Sequence, residues 1–146
     1  MATIKHLLTN EDILLSWPVV FALRPHLQKE RFLQQVRDMM QDDGYQMLGL
    51  VVEENGSEVV ASFTGFRHMH KLSSGPGIYI DDLSTLPEHR GKGYAGMLLD
   101  YVHNIARESG KERVQLDSGY HRNAAHRVYL NKGYVISAHH FTHTLG

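Results

Sequence analysis

The stretch Leu86–Val102, LPEHRGKGYAGMLLDYV, decides how the rest of the chain is read. Gly91, Gly93 and Gly96 spell G-x-G-x-x-G, the spacing of a dinucleotide-binding turn. An apolar run precedes it, an amphipathic run follows, and Asp117 stands about 20 residues past Gly96, where a ribose-binding acid would be expected. Three features oppose that reading. Pro87, Glu88, His89 and Arg90 separate the apolar run from the first glycine, whereas a dinucleotide turn follows its strand directly. A hairpin precedes the unit, where a parallel sheet should open. Roughly 30 residues follow Asp117, too few for the βα units that complete a doubly wound sheet. A G-K-[ST] phosphate loop is absent as well. What remains is a glycine-rich loop entering a helix. Its N–H groups and dipole suit an anion, Arg90 and Lys92 add charge, and the glycines let a pyrophosphate come close to the backbone. The expected ligand is a pyrophosphate carrier other than NAD, and a dinucleotide oxidoreductase is the disfavoured alternative.

The bulk composition narrows the field. A chain of 146 residues suits a single domain, expected to span 1–146. Fifteen Lys+Arg against 16 Asp+Glu gives no electrostatic footprint for nucleic acid or a membrane surface. No cysteine is present, which excludes thiol nucleophiles, disulfides and Cys-ligated zinc. The N-terminal residues MATIKHLLTNED lack a signal-peptide core, and no run of about 20 apolar residues occurs, so a cytoplasmic location is expected.

Outward from the glycine loop, the periodicities predict a mixed sheet. TIKHLL reads as a first strand and Asn10 as a helix cap. The segment 12–27 reads as a helix interrupted or restarted at Pro18 and ended near Arg24. Phe32, Leu33, Val36, Met39 and Met40 share one face of a helix over 29–43 that Gly44 closes. Two strands flank Asn55-Gly56, a hairpin signal; KLSSGPG reads as a loop, and IYIDDLSTL as the next strand. A helix over 93–109, a short strand RVQLD, a helix NAAHRVYLNKG and one or two final strands in YVISAHHFTHTL complete the order. Antiparallel hairpins followed by one right-handed βαβ crossover, with helices on both faces, make an α/β fold with a mixed sheet. In IYIDDLSTL, Ile78 and Ile80 keep one parity while Leu83 falls on the other, a one-residue slip that predicts a β-bulge at Asp81 and Asp82.

DLSTLPEHRGKGYAGMLL resembles the acetyl-CoA motif of the GNAT N-acetyltransferase family, R/Q-x-x-G-x-G/A, here Arg90-Gly91-Lys92-Gly93-Tyr94-Ala95. AHRVYLNKGY, 125–134, resembles the family's second signature, a tyrosine-bearing helix followed by glycine and an aromatic residue. The order of elements is similar over nearly the whole chain. The resemblance implies an acetyl-CoA-dependent N-acetyltransferase with a primary-amine acceptor and direct attack, in a fold that often forms homodimers. A non-catalytic CoA-binding sensor or structural module of the same fold is the alternative.

Carried onto this chain, the resemblance places the pantetheine arm along Leu83, Ser84 and Thr85. The pyrophosphate falls on Arg90, Gly91, Lys92, Gly93, Tyr94, Ala95 and Gly96. The family's asparagine, seven residues before the helix tyrosine, is Arg122 here, and Asn123 stands one place later. A protonated alkylamine must lose a proton before it attacks, and a carboxylate can take it through water. Asp81 matches the family's base by its spacing to Arg90, and Asp82 is expected to anchor the amine or act structurally. Tyr129 matches the acid that protonates the leaving thiolate. Arg24 and His26 fall where the family's acceptor pocket lies, and His140 is a further candidate for it. The chain has 11 histidines, among them His68 and His70 two apart on one strand and His139, His140 and His143 near the end. Metal binding by these would need a supporting carboxylate and a defined geometry, so no metal is expected.

Overall fold

The computed structural model describes residues 1–146, which divide into two compact units, Met1–Leu116 and Asp117–Gly146. The first unit contains a five-stranded sheet in sequential order: β1 (Thr3–His6), β2 (Gln46–Glu54), β3 (Ser57–Lys71), β4 (Gly75–Thr85) and β5 (Arg113–Leu116). The first four strands pair antiparallel and β5 pairs parallel with β4. Helices α1 (Asn10–Leu15), α2 (Trp17–Leu23) and α3 (Lys29–Asp43) lie between β1 and β2, and α4 (Tyr94–Glu108) joins β4 to β5.

The local reasons follow from the residues. Thr9, not Asn10, caps α1: its hydroxyl accepts from the Asp12 N–H at 3.1 Å while the Asp12 carboxylate reaches back to the Thr9 N–H. Pro18, which has no N–H to give, sits in the first turn of α2, where none is needed. Gly44 ends α3 at φ 68°. Asn55 and Gly56 both take positive φ, as a two-residue hairpin turn requires.

The core packs against the sheet. Ile13, Val20, Phe32 and Val36 from the helices meet Met47, Val51 and Phe63 from the sheet in one buried cluster. Leu48 and Leu50 are equally buried and alternate with Met47, so they face the other side, where α4 contributes Leu98, Leu99 and Val102. The β3–β4 register runs Gly65↔Asp82 and then Phe66↔Ile80, leaving Asp81 as the extra residue of a β-bulge, where the parity slip predicts it.

Two further expectations fail. Gly75, Pro76 and Gly77 are strand, not loop; only Leu72–Ser74 form the turn. Glycine fits there because a Cβ at Gly77 would lie 3.0 Å from the Arg113 carbonyl, so β5 approaches over a residue without a side chain. The expected final strands over 134–145 are absent, and Val135, Ile136, Phe141 and Leu145 are exposed. Strand preference reflects packing against a neighbouring strand, and no ladder partner is present for this segment. The second unit contains α5 (Asn123–Asn131), followed by Gly133 at φ 90°. No helix is long and apolar enough to cross a membrane.

Candidate active site

The ladder between β4 and β5 stops at Ile80↔Leu116. Beyond the bulged Asp81, β4 pairs with β3 from Asp82 to Thr85, and from Asp81 on it has no β5 partner on its other edge. This one-sided segment includes Leu83, Ser84 and Thr85, all half-buried. It leads through a 3-10 turn at Pro87–His89 into the glycine loop. Gly91 and Gly93 both lie at φ 80°, and open space stands where a Cβ would project from either. Gly93 is the N-cap of α4, and the first turn, Tyr94-Ala95-Gly96, contains no acid. Its N–H groups have no partner within the helix, and Arg90 and Lys92 flank it. A diphosphate fits the charge and the open backbone of this loop. An extended amide-bearing arm fits the open strand edge.

The bulge aims two carboxylates into a network that sequence reading did not foresee in full. Asp81 Oδ2 accepts from Arg67 Nε at 2.8 Å. Burial raises the Asp81 carboxyl above its ordinary value, and Arg67 works against that rise. Asp82 Oδ1 accepts from Arg24 Nε and Nη2 at 3.1 and 3.0 Å, and its Oδ2 accepts from the Tyr45 hydroxyl at 2.7 Å. Arg24 Nη2 also donates to the Asp81 carbonyl. The Arg67 guanidinium stands over the Tyr45 ring at 5.7 Å and pairs with Asp43 at 3.5 Å. Tyr45, Arg67 and Asp43 were not among the expected site residues. Gly65 was the one signal for Tyr45: a glycine inside a strand marks a close approach, and a Cβ there would fall 1.7 Å from the Tyr45 hydroxyl oxygen. Burial, then Asp82, pushes the Tyr45 phenol well up, so it stays a donor.

A cavity of about 320 Å³ opens beside this network, with Arg24, His26 and Asp82 among its lining residues. A third cluster sits under the glycine loop. His89 is buried, its Nδ1 3.2 Å from Lys92 Nζ and its Nε2 2.5 Å from Glu54 Oε1 at the hairpin end. An ammonium only donates, so Nδ1 accepts and the ring proton rests on Nε2 facing Glu54. Nε2 is buried and makes no hydrogen bond. No periodicity marks His89 as buried.

The remaining expected residues belong to the second unit. Tyr129 is half-buried on α5, packed edge-on to Tyr134 at 5.9 Å, and burial raises its phenol above the ordinary value. Asn123 is the first residue of α5 and Arg122 its N-cap. His140 is exposed, 2.7 Å from Asp117.

The model of the acetyltransferase (GNAT) family matches residues 11–134. The chain belongs to the GNAT family of acetyltransferases. This GNAT chain is 34% identical to the uncharacterized N-acetyltransferase YhdJ of Bacillus subtilis over 142 residues, 97% of each chain. It is 38% identical to the aminoalkylphosphonate N-acetyltransferase of Salmonella typhimurium over 66 residues, covering 45% of this chain and 43% of that one. In fold it is similar to the aminoglycoside N-acetyltransferase AAC(6')-Iy, solved in complex with CoA. There the TM-score is 0.81 at 17% identity, over 99% of this chain and 95% of that one.

Proposed function

We propose that this chain transfers the acetyl group of acetyl-CoA to the nitrogen of a small primary amine by direct attack, and that one transferase domain spans the chain. The observation that carries the reading is the half-open β4. Its edge is unpartnered from Asp81 to Thr85 and runs directly into a glycine loop at the start of α4. The family match over 11–134 supports the single domain, and a relative named for aminoalkylphosphonates supports a small acceptor.

Acetyl-CoA supplies an acyl group activated as a thioester. The backbone of Leu83, Ser84 and Thr85 offers N–H and C=O groups along the open edge to hold the arm. The backbone from Gly91 to Gly96, with Arg90 and Lys92, takes the diphosphate. Asn123 is the second unit's candidate contact for the cofactor. Asp81 accepts the ammonium proton, directly or through water; burial raises its carboxyl, which makes it a better base than an ordinary one. Asp82 is held by Arg24 and Tyr45 and suits an anchor for the amine, not a base. Tyr129 keeps its phenolic proton across the physiological range, as an acid for the leaving sulfur must. The chain has no cysteine to form a thioester of its own, which favours direct attack.

Steady release of free thiol from acetyl-CoA, measured against a panel of amines, tests the reading. Turnover that depends on both substrates is expected. Tyr129→Phe should keep acetyl-CoA binding and lose roughly 10²–10⁴-fold in kcat. Binding of acetyl-CoA without thiol release for any amine would favour a CoA-binding module instead.

A further inference from the structure

We propose that the acceptor is a primary amine with an uncharged, apolar body, seated in the cavity between α2, α3 and β2 with its ammonium at Asp82. This rests on the N-acetyltransferase reading. It goes further by fixing the chemistry of the acceptor's far end.

The cavity of about 320 Å³ stands at the small end of ligand sites. Val20, Leu27, Phe32, Val36, Met39 and Met47 form its apolar walls. Val20, Phe32, Val36 and Met47 are also core residues, so these walls are rigidly backed. Three of its polar residues, Arg24, Tyr45 and Asp82, are bound to one another. Arg24 spends Nε and Nη2 on Asp82 and the Asp81 carbonyl, which leaves only Nη1 free and denies an acidic substrate the two-pronged grip of an open guanidinium. Asp82 Oδ2 takes one bond, from Tyr45, and a carboxylate oxygen has a second lone pair to give an ammonium. Three carboxylates, Asp43, Asp81 and Asp82, surround two guanidiniums, Arg24 and Arg67, which leaves a net negative charge of one. That surplus matches one cationic head. A second cation, a phosphonate or a hydroxylated ring pressed against those six apolar side chains would lose its hydration and find no polar partner among them. His26 and Gln35, both exposed, are the polar lining residues outside that network.

The test compares three acceptors on the full chain: 2-phenylethylamine, 2-aminoethylphosphonate and spermidine. We expect kcat/KM for 2-phenylethylamine to exceed the other two by about 100-fold, as a body matched to apolar walls allows. Leu27→Gln places an amide in one wall at a half-buried position. It should raise KM for 2-phenylethylamine about tenfold. Its acetyl-CoA affinity, measured by calorimetry, should not move, and that also reports folding. The single tryptophan, Trp17, packs on Phe32 at 5.0 Å, so its emission should shift as the apolar amine fills the cavity. Parity, or a preference for the phosphonate or the polyamine, overturns the acceptor class and leaves the transferase standing. A KM unmoved by Leu27→Gln, or a silent Trp17, overturns the cavity assignment. Acetyl-CoA binding with no thiol release for any amine overturns the transferase reading and this inference together.

Discussion

The two halves of β4 are built for different tasks. Gly75–Ile80 is paired with β3 on one edge, and with β5 on the other from Gly77 on. Asp81–Thr85 keeps β3 and loses β5, and the change falls at the bulged residue, Asp81. In the first half every feature serves contact between strands: Gly77 admits the Arg113 carbonyl, and Ile78 and Ile80 are buried. In the second half the backbone is left with capacity to spare, and two carboxylates are aimed into a polar network beside a cavity. One strand can therefore be both scaffold and site if a neighbouring strand stops early. An unfilled ladder would be a liability on an exposed edge; next to an anion-binding helix start it becomes a place for an extended ligand.

Substitutions in the two halves, and in the loop that follows, should separate cleanly. The largest effect is expected for Gly93→Glu, which puts a carboxylate at the helix start and should abolish measurable acetyl-CoA binding by calorimetry. Gly93→Ala carries the same strain at φ 80° without the charge and should retain weakened binding, which isolates the electrostatic part. Asp81→Asn should lower kcat by roughly 10²–10³-fold near neutral pH, with partial recovery as pH rises and free amine becomes abundant. If Asp82→Asn shows that recovery and Asp81→Asn does not, the roles of the two acids are reversed. Gly77→Val, in the fully paired half, should cost about 1–3 kcal/mol of stability by overpacking and leave kcat per folded molecule unchanged. Its denaturation midpoint and active-site titration give both numbers. Arg67→Met should change the maximal rate little, yet shift the acid limb of kcat/KM to higher pH. Burial already raises Asp81, and removing the guanidinium removes the opposing influence.

Much of the scaffold was legible because it depends on local chemistry. The hairpin at Asn55-Gly56, the stop at Gly44 and the helix start at Gly93 each rest on a φ that few residues adopt. The bulge was legible as well, since a parity slip between Ile80 and Leu83 has few other causes. Thr9 displaced Asn10 as cap because the reciprocal bond with Asp12 settles the start one residue earlier. Partners distant in sequence were not legible. Asp82 meets Tyr45 across 37 residues and Arg24 across 58, and no spacing encodes such pairs. Pro76 and Gly77 read as loop residues because the approach of β5 that makes glycine fit cannot be seen one strand at a time. Residues 134–145 look strand-like for the converse reason: apolar content marks preference, while a strand also needs a neighbour.

Amide hydrogen exchange read along β4 and α4, with and without saturating acetyl-CoA, tests the central claim most directly. Protection should appear within Asp81–Thr85 and in the first turn of α4, Tyr94–Gly96, while Gly77–Ile80, already paired on both sides, should show little change. Uniform protection of both halves of β4, or protection confined to residues outside Asp81–Gly96, would contradict it.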